Sequence, residues 1–507
     1  MMLSEHTLTT ISQADQLLIP DSNLLALPEK VLQFGTGVLL RGLPDDIIHQ
    51  ANHKGIFNGR IVVVKSTDKG TTDAFARQHN LYTLCVRGLE NGKPVDKQII
   101  NASISRVLSA KDEWEEILKC AANKDLKVII SNTTETGIRL VREGFLFSSP
   151  APSSFPGKLV LFLYTRYQFF NGSPESGMVI LPTELISDNG KELKTICIQL
   201  AEINHYESDF IHWLESANDF CNTLVDRIVP GALPEKDKEL IEQKLGYRDE
   251  LMIMAEPYSL WAIETTKERA KEILSFATAD SGIIITHNIT KYKELKLRLL
   301  NATHTYSCAV ALWCGFSTVK EAMENKAFKG FISDLIYYEI VPAITTDEIS
   351  EKEALTFAAN VLDRFANPYI AHQWISISAQ YSSKMQMRCV NVLESYYHRF
   401  QKAPSHITLG FAAYLLFMKS EKKENNNFVT TVSAKQFVIT DEKAAVIHAH
   451  WQKPTSEQAI HAILSDDALW GKDLTALPDF EAHVIAAVEL LKSKSSKTLT
   501  EKELIVQ

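Results

Sequence analysis

Two successive domains are predicted: an α/β domain over residues 1–285 and a mostly α-helical domain over residues 286–507. Three observations carry this division. Short apolar runs at Lys30–Phe34 (KVLQF), Gly59–Ser66 (GRIVVVKS) and Val128–Asn132 (VIISN) alternate with helical periodicity, the order of a parallel α/β sheet. Beyond about residue 290 the alternation stops, and long amphipathic stretches with few turn residues take over. A chain of 507 residues is also long for one core, so two or three domains are expected.

Composition narrows the class. Apolar residues make up 45% and charged residues 23%, as in an ordinary soluble globular protein. The net charge of −9 argues against nucleic acid or an anionic membrane as the main partner. An anionic small molecule would have to be drawn by a local cluster of cations. Seven scattered cysteines with no CxxC pair fit reduced, cytosolic thiols, neither a disulfide framework nor a zinc site. The amino terminus has no basic segment followed by an apolar one, and apolar runs such as LVLFLYTRYQFF are interrupted by charge. A cytoplasmic location is expected, with no membrane partner.

In chain order, residues 1–28 read as a leader packed on the first domain. The strand at Lys30–Phe34 runs into Gly35-Thr36-Gly37 and then LLRGLPDDIIHQANHKG, which has helical periodicity; GRIVVVKS follows as a second strand. Strand, glycine turn, helix and strand open a Rossmann-type dinucleotide-binding unit. The glycines let the backbone approach a pyrophosphate resting on the helix amino terminus, which makes Phe34, Gly35, Thr36, Gly37 and Val38 candidate cofactor contacts. Ser66 closes the second strand, where the adenosine ribose is read; the first acid comes only at Asp68, so the residues alone leave NAD and NADP both open. LYTLCVRG and PVDKQII form a strand pair through an Asn91-Gly92 turn, and a helix follows at Asp112–Ala122. VIISN leads into Thr133-Thr134-Glu135-Thr136-Gly137, a polar turn at the carboxyl end of a strand, where α/β sheets bind ligands. Residues 155–230 continue in α/β style, and GIIITHNIT is the last strand.

Lys291–Cys314 (KYKELKLRLLNATHTYSCAVALWC) then reads as a helix without Gly or Pro. Lys296, Asn301 and His304 fall at roughly 0°, 140° and 80° around an α-helix, on one face. A lysine, an amide and an imidazole on one face suit holding a carbonyl oxygen and passing it a proton. Further on, Lys384 and Arg388 are four apart and share a helix face. His448 and His450 face apart on a helix and do not make a metal site. KSEKKENNN (419–427) and KSKSSK (492–497) read as a solvated loop and tail.

KLRLLNATH resembles the signature helix of the mannitol dehydrogenase family, the long-chain, polyol-specific, metal-independent dehydrogenases. The resemblance runs nearly the full length, from Gly35 to Arg388. It implies that Lys296 is the general acid/base, that Asn301 and His304 polarise and orient the substrate oxygen, and that NAD is the cofactor. It also implies that the active site lies between the two domains. The family's GxGxFxRxH loop is matched at Gly35, Gly37 and Arg41, with Leu39 in the Phe place and Leu43 in the His place. This adds Leu39 and Arg41 to the cofactor contacts, and Thr134 and Glu135 are implied beside the nicotinamide. MVILPTELISDNG is similar to the family's SCDNLPHNG segment; Glu184 keeps an acid for substrate, while Leu185 replaces an oxyanion-holding Asn. Asn222, Asp226 and Arg227 of NTLVDRIVP match a stretch that orders a turn, and MAEPYSLWAIE matches a landmark closing the first domain. Ser376 stands where mannitol enzymes carry an Arg, and NPYIAHQWISIS before Ser383-Lys384 resembles the uronate-acting branch. In that branch His372, Lys384 and Arg388 would bind a substrate carboxylate. The partner implied is a small uronate or aldonate. The alternatives are another polyol or uronate dehydrogenase of the same family and a dinucleotide-binding regulator without turnover.

Overall fold

The computed structural model describes residues 1–11, 16–66, 72–133, 137–144, 150–422 and 427–493. The chain forms two compact units. The first comprises Met1–Gly88 and Pro94–Ile289; the second comprises Leu89–Lys93 and everything from Thr290 onward. Among the described residues no helix is long and apolar enough to cross a membrane.

The first unit is built on a six-stranded parallel sheet. Its strands, in chain order, are β1 (Glu29–Phe34), β2 (Arg60–Lys65), β3 (Ile104–Ser109), β4 (Val128–Ser131), β5 (Val179–Pro182) and β6 (Asp219–Phe220). They lie side by side as β3-β2-β1-β4-β5-β6, with every pairing parallel. This is the doubly wound order, in which the chain reverses direction across the sheet between β1 and β4. β2, β4 and β5 are buried at every residue, because helices cover both faces, and so they read as continuous apolar runs. Alternation still sorts the side chains. Val31, Ile61 and Val63 join Ile47, Ile48 and Ala51 of α2 (Pro44–His53) on one face. Leu32, Phe34, Val62 and Val64 meet α3 (Phe155–Phe169) and α4 (Asn189–Ile203) on the other.

The leader does pack on this unit: Leu3 donates its N–H to the Arg248 carbonyl at 2.9 Å, and Leu17–Leu18 pair with Gln98 and Ile99. The hairpin turn at Asn91 and Gly92 has φ of 52° and 70°, the two positive values a tight two-residue turn needs. Arg227 orders the region after the sixth strand. Its guanidinium, 4% exposed, meets Asp46 at 2.7 Å and also donates to the carbonyls of Gly42 and Glu256.

The second unit is mostly helical, as expected, with two departures. Residues Glu421–Lys422, Phe428–Val432 and Lys435–Val438 form a small three-stranded sheet; the first strand lies in the stretch 419–427 expected as a solvated loop, of which 423–426 are outside the described residues. The short FVTTV and KQFV runs pair with each other around a turn at Ser433 and Ala434, both at positive φ; runs of five and four residues give periodicity little to reveal. The second departure concerns helix type. The helix from Thr290 is α to Leu295, π over Lys296–Ala302, and α again as α5 (Thr303–Trp313). Two further π segments span Leu335–Ile340 and Met385–Val390. After α6 (Glu351–Phe365) in the chain comes α7 (Ser405–Met418), which is buried from His406 to Met418 at the unit's centre. Such a helix is apolar all round because helices surround it. A Cβ at Gly410 would lie 2.8 Å from the Tyr306 carbonyl oxygen, so only glycine permits α5 and α7 to approach this closely.

Two buried ionisable groups at the start of α2 give the first unit a pH signature. Burial pushes the Asp45 carboxyl up to about 8, and burial pushes His49 down to about 4. Between pH 4 and 6.5 the unfolded chain releases the Asp45 proton that the fold keeps, and binds a His49 proton that the fold refuses, so the two effects oppose. Between about 6.5 and 8 only Asp45 contributes, and its raised pKa makes stability fall as pH rises, by up to about 1.4 kcal/mol per unit. Asp45→Asn is expected to remove that decline, as read from urea midpoints at pH 6.5 and 8 against the native chain.

Candidate active site

On the first unit, the carboxyl ends of β1 and β4 open onto a groove of about 620 Å³. Its lining includes Gly35, Thr36 and Gly37 of the glycine turn, Ser66 after β2, Asn132 and Thr133 after β4, and Ser153, Ser154 and Lys158 at the start of α3. Gly35 has φ of +128°, and a Cβ there would fall 2.8 Å from Leu40 and 3.1 Å from the Asn132 carbonyl oxygen. Nothing lies within 4 Å of a Cβ built at Gly37. The turn is thus tight on its inner side and open toward the groove, the shape a dinucleotide pyrophosphate requires. The Ser66 hydroxyl is enclosed and has no hydrogen-bond partner among the described residues, so a ligand hydroxyl or phosphate would satisfy it.

Several residues expected at the cofactor sit elsewhere. The Phe34 ring is fully buried against Phe155, at 5.2 Å between centroids, so only its backbone faces the turn. Val38 and Leu39 pack on the core beneath α1 (Val38–Gly42). Arg41 points inward: its guanidinium donates to the Leu251 carbonyl at 2.7 Å and lies over the Phe75 and Tyr82 rings. The helix turn from Gly37 carries it away from the groove, a direction that spacing in a motif does not reveal. Glu184 is buried, and its carboxylate accepts from Ser131 Oγ (3.1 Å), Thr133 N (2.8 Å) and Thr133 Oγ1 (2.9 Å). It therefore braces the loop after β4 and is not turned out toward substrate. Leu185 beside it is 65% exposed. Thr134, Glu135 and Asp68 lie outside the described residues.

In the second unit, exposure singles out one face of the signature helix. From Arg298 to Leu312 every residue is buried except Asn301 and His304, and Lys296 is half-exposed one turn earlier. The π geometry matters here. Hydrogen bonds from i to i+5 widen the turn, so Lys296 and Asn301, five apart, lie closer together around the axis than the roughly 140° of an α-helix. The His304 ring stacks on Phe365 at the end of α6, with centroids 4.0 Å apart and 16° between planes. His372 and Trp374 meet it edge-on at 5.3 and 6.0 Å.

Cations gather round this ring. Burial first, then the charges of His372, Arg364, Arg388 and Lys384, hold His304 well below the usual imidazole range. Lys384 is itself lowered, by burial and by Arg388. His372 is lowered by burial and by Lys384. Lys384 Nζ donates to the Ile377 carbonyl at 2.8 Å, and Arg388 Nη1 lies 3.5 Å from Thr305 Oγ1. An anion arriving among these groups would relieve the crowding of like charge. Ser376 is exposed.

Sequence reasoning missed Arg298, Tyr306, Arg364 and Phe365. Arg298, 7% exposed, bonds Glu294 at 2.9 Å and donates to the carbonyls of Met387 and Arg388 at 2.8 and 3.0 Å. Tyr306 donates to the Cys389 carbonyl at 2.7 Å. Both tie the signature helix to the π segment that carries Arg388. The available signal was a charged residue, Arg298, on the apolar side of the helix, where it needs buried partners. His448 and His450 are engaged apart, with the Ser420 carbonyl and with Asp466.

The bracing role of Glu184 is testable. Glu184→Ala leaves the Thr133 N–H without its acceptor, at a cost of about 1–3 kcal/mol. Thermal unfolding should shift down accordingly, and dinucleotide affinity should fall because Thr133 lines the groove.

Comparison with known proteins agrees with this architecture. Residues 29–274 match the model of the mannitol dehydrogenase Rossmann domain, and residues 288–492 match that of the mannitol dehydrogenase C-terminal domain. Similar curated proteins include altronate oxidoreductase of Halalkalibacterium halodurans, 34% identical over 93% of this chain and 92% of the relative. Another is altronate oxidoreductase of Bacillus subtilis, 36% identical over 89% and 90%. Among solved structures, Pseudomonas fluorescens mannitol 2-dehydrogenase in complex with NAD and D-mannitol aligns with a TM-score of 0.67 at 20% identity, covering 100% of this chain and 99% of that one. A D-sorbitol dehydrogenase aligns at 0.76 and 19%, covering 100% of both chains; these two likenesses concern the fold. The chain belongs to the mannitol dehydrogenase family, oxidoreductases that act on CH–OH groups with a nicotinamide cofactor.

Proposed function

We propose that the protein interconverts D-tagaturonate and D-altronate with NAD(H), a step of hexuronate breakdown. The observation that carries this reading is the set of cations Lys384, Arg388 and Arg364 near His304, with the His372 ring 5.3 Å from the His304 ring as a further donor. A neutral polyol has no use for so much positive charge, whereas a uronate carboxylate is matched by it. The altronate oxidoreductases among the relatives support the same substrate class.

The groove residues fit a dinucleotide, with Gly35 and Gly37 under the pyrophosphate and Ser66 toward the adenosine ribose. When bound, the nicotinamide supplies the hydride that reduces the ketone carbon. Lys296 gives the ketone oxygen its proton in reduction and takes it back in oxidation. Asn301 donates from its amide to the same oxygen. His304, kept neutral by its enclosure, has one ring N–H to donate and contributes no titration near neutral pH. Phe365 holds that ring in plane. Lys384, Arg388 and His372 hold the carboxylate, which orients the sugar relative to Lys296.

Consumption of NADH with tagaturonate, fructuronate and fructose side by side, repeated with NADPH, tests the reading. Tagaturonate with NADH is expected to be preferred; preference for fructose would overturn the carboxylate assignment. Lys296→Ala should lower kcat by about 10²–10⁴-fold with NADH affinity unchanged. Arg388→Gln should raise KM for tagaturonate about ten- to a hundredfold and leave KM for a neutral ketose unaltered.

A further inference from the structure

We infer that Arg139 and Lys158 are the cations that hold the dinucleotide phosphates, in the role the Gly-turn motif would give to Arg41. The inference rests on the dinucleotide reading of the groove. A pyrophosphate diester carries two negative charges, and a protein with net charge −9 must meet them locally. In the glycine turn the Gly35 N–H is already donated to the Val64 carbonyl at 2.9 Å, and α1 is only five residues long and contributes little dipole. Arg41 is committed to the Leu251 carbonyl and two aromatic rings, inside the core. The same groove that Gly35 and Gly37 line on one side is lined by Arg139 and Lys158 on the other.

The two cations are set differently. Lys158 is 4% exposed, in the first turn of α3, and its ammonium donates to the Ser153 carbonyl at 3.1 Å. It is therefore held at a fixed place in the groove wall, at a helix start whose dipole already favours an anion. Arg139 is exposed on the segment that follows the loop after β4. Its planar fork is suited to two phosphate oxygens at once. One fixed point charge and one adaptable fork balance the two charges of the diester.

Titration of the full-length protein with NADH by fluorescence, and competition by ADP-ribose and by adenosine, tests this. Arg139→Gln and Lys158→Gln should each weaken NADH and ADP-ribose about tenfold. Adenosine, which has no phosphate, should bind the variants as it binds the native protein, and Arg139→Lys should recover much of the loss. NADH and ADP-ribose affinities of Arg139→Gln within twofold of native would overturn the inference, and so would an equal loss for adenosine. Arg139 is exposed, so its substitution leaves the core intact and is decisive even where Lys158→Gln does not fold. If the native protein binds neither NADH nor ADP-ribose, the dinucleotide reading itself fails and this inference falls with it.

Discussion

The second unit depends on a clasp between two π-helical segments. Lys296–Ala302 carries Lys296 and Asn301, and Met385–Val390 carries Arg388. Arg298 reaches from the first to the carbonyls of Met387 and Arg388, and Tyr306 reaches to that of Cys389. A π turn shifts the register of backbone hydrogen bonding, and carbonyls released by that shift need other donors. A buried guanidinium and phenol provide them. The two segments that carry Lys296, Asn301 and Arg388 are thereby fixed to one another through backbone carbonyls.

Around this clasp the electrostatics are arranged to favour one charge type. His304 is enclosed by Phe365, His372 and Trp374, and the nearby cations are lowered by burial and by one another. Assembling like charges in a partly desolvated place costs stability. Retaining them is understandable if an anion spends part of its time there. The first unit applies the same logic in its own groove, where Arg139 and Lys158 line the wall opposite the glycine turn. Elsewhere its buried charges are spent on structure: Arg227 with Asp46, Arg41 with Leu251, and Glu184 with Thr133.

Much of this was legible beforehand because it depends on local pattern. The strand and glycine-turn order, the helical second half and the Lys-Asn-His spacing are all short-range features. The three-stranded sheet at 421–438 was not legible, because its strands are two to five residues long and lie beside a polar stretch. Neither was the π geometry. An inserted shift in a helix leaves the apolar periodicity nearly unchanged over seven residues, so only the backbone hydrogen bonding of the folded chain reveals it.

By itself, the sequence determined the two-domain plan, the Rossmann-type α/β character of the first domain and the residue types available for chemistry. These follow from hydrophobic period and turn residues, which act within a few positions along the chain. The tertiary structure alone decided which charged side chains face a ligand. Arg41 and Glu184 stand in motif positions yet turn inward, while Arg139 and Lys158, in no motif, line the groove. The physical reason is that a long polar side chain goes where its partners are, and those partners lie up to 210 positions away in the chain, as Leu251 does from Arg41.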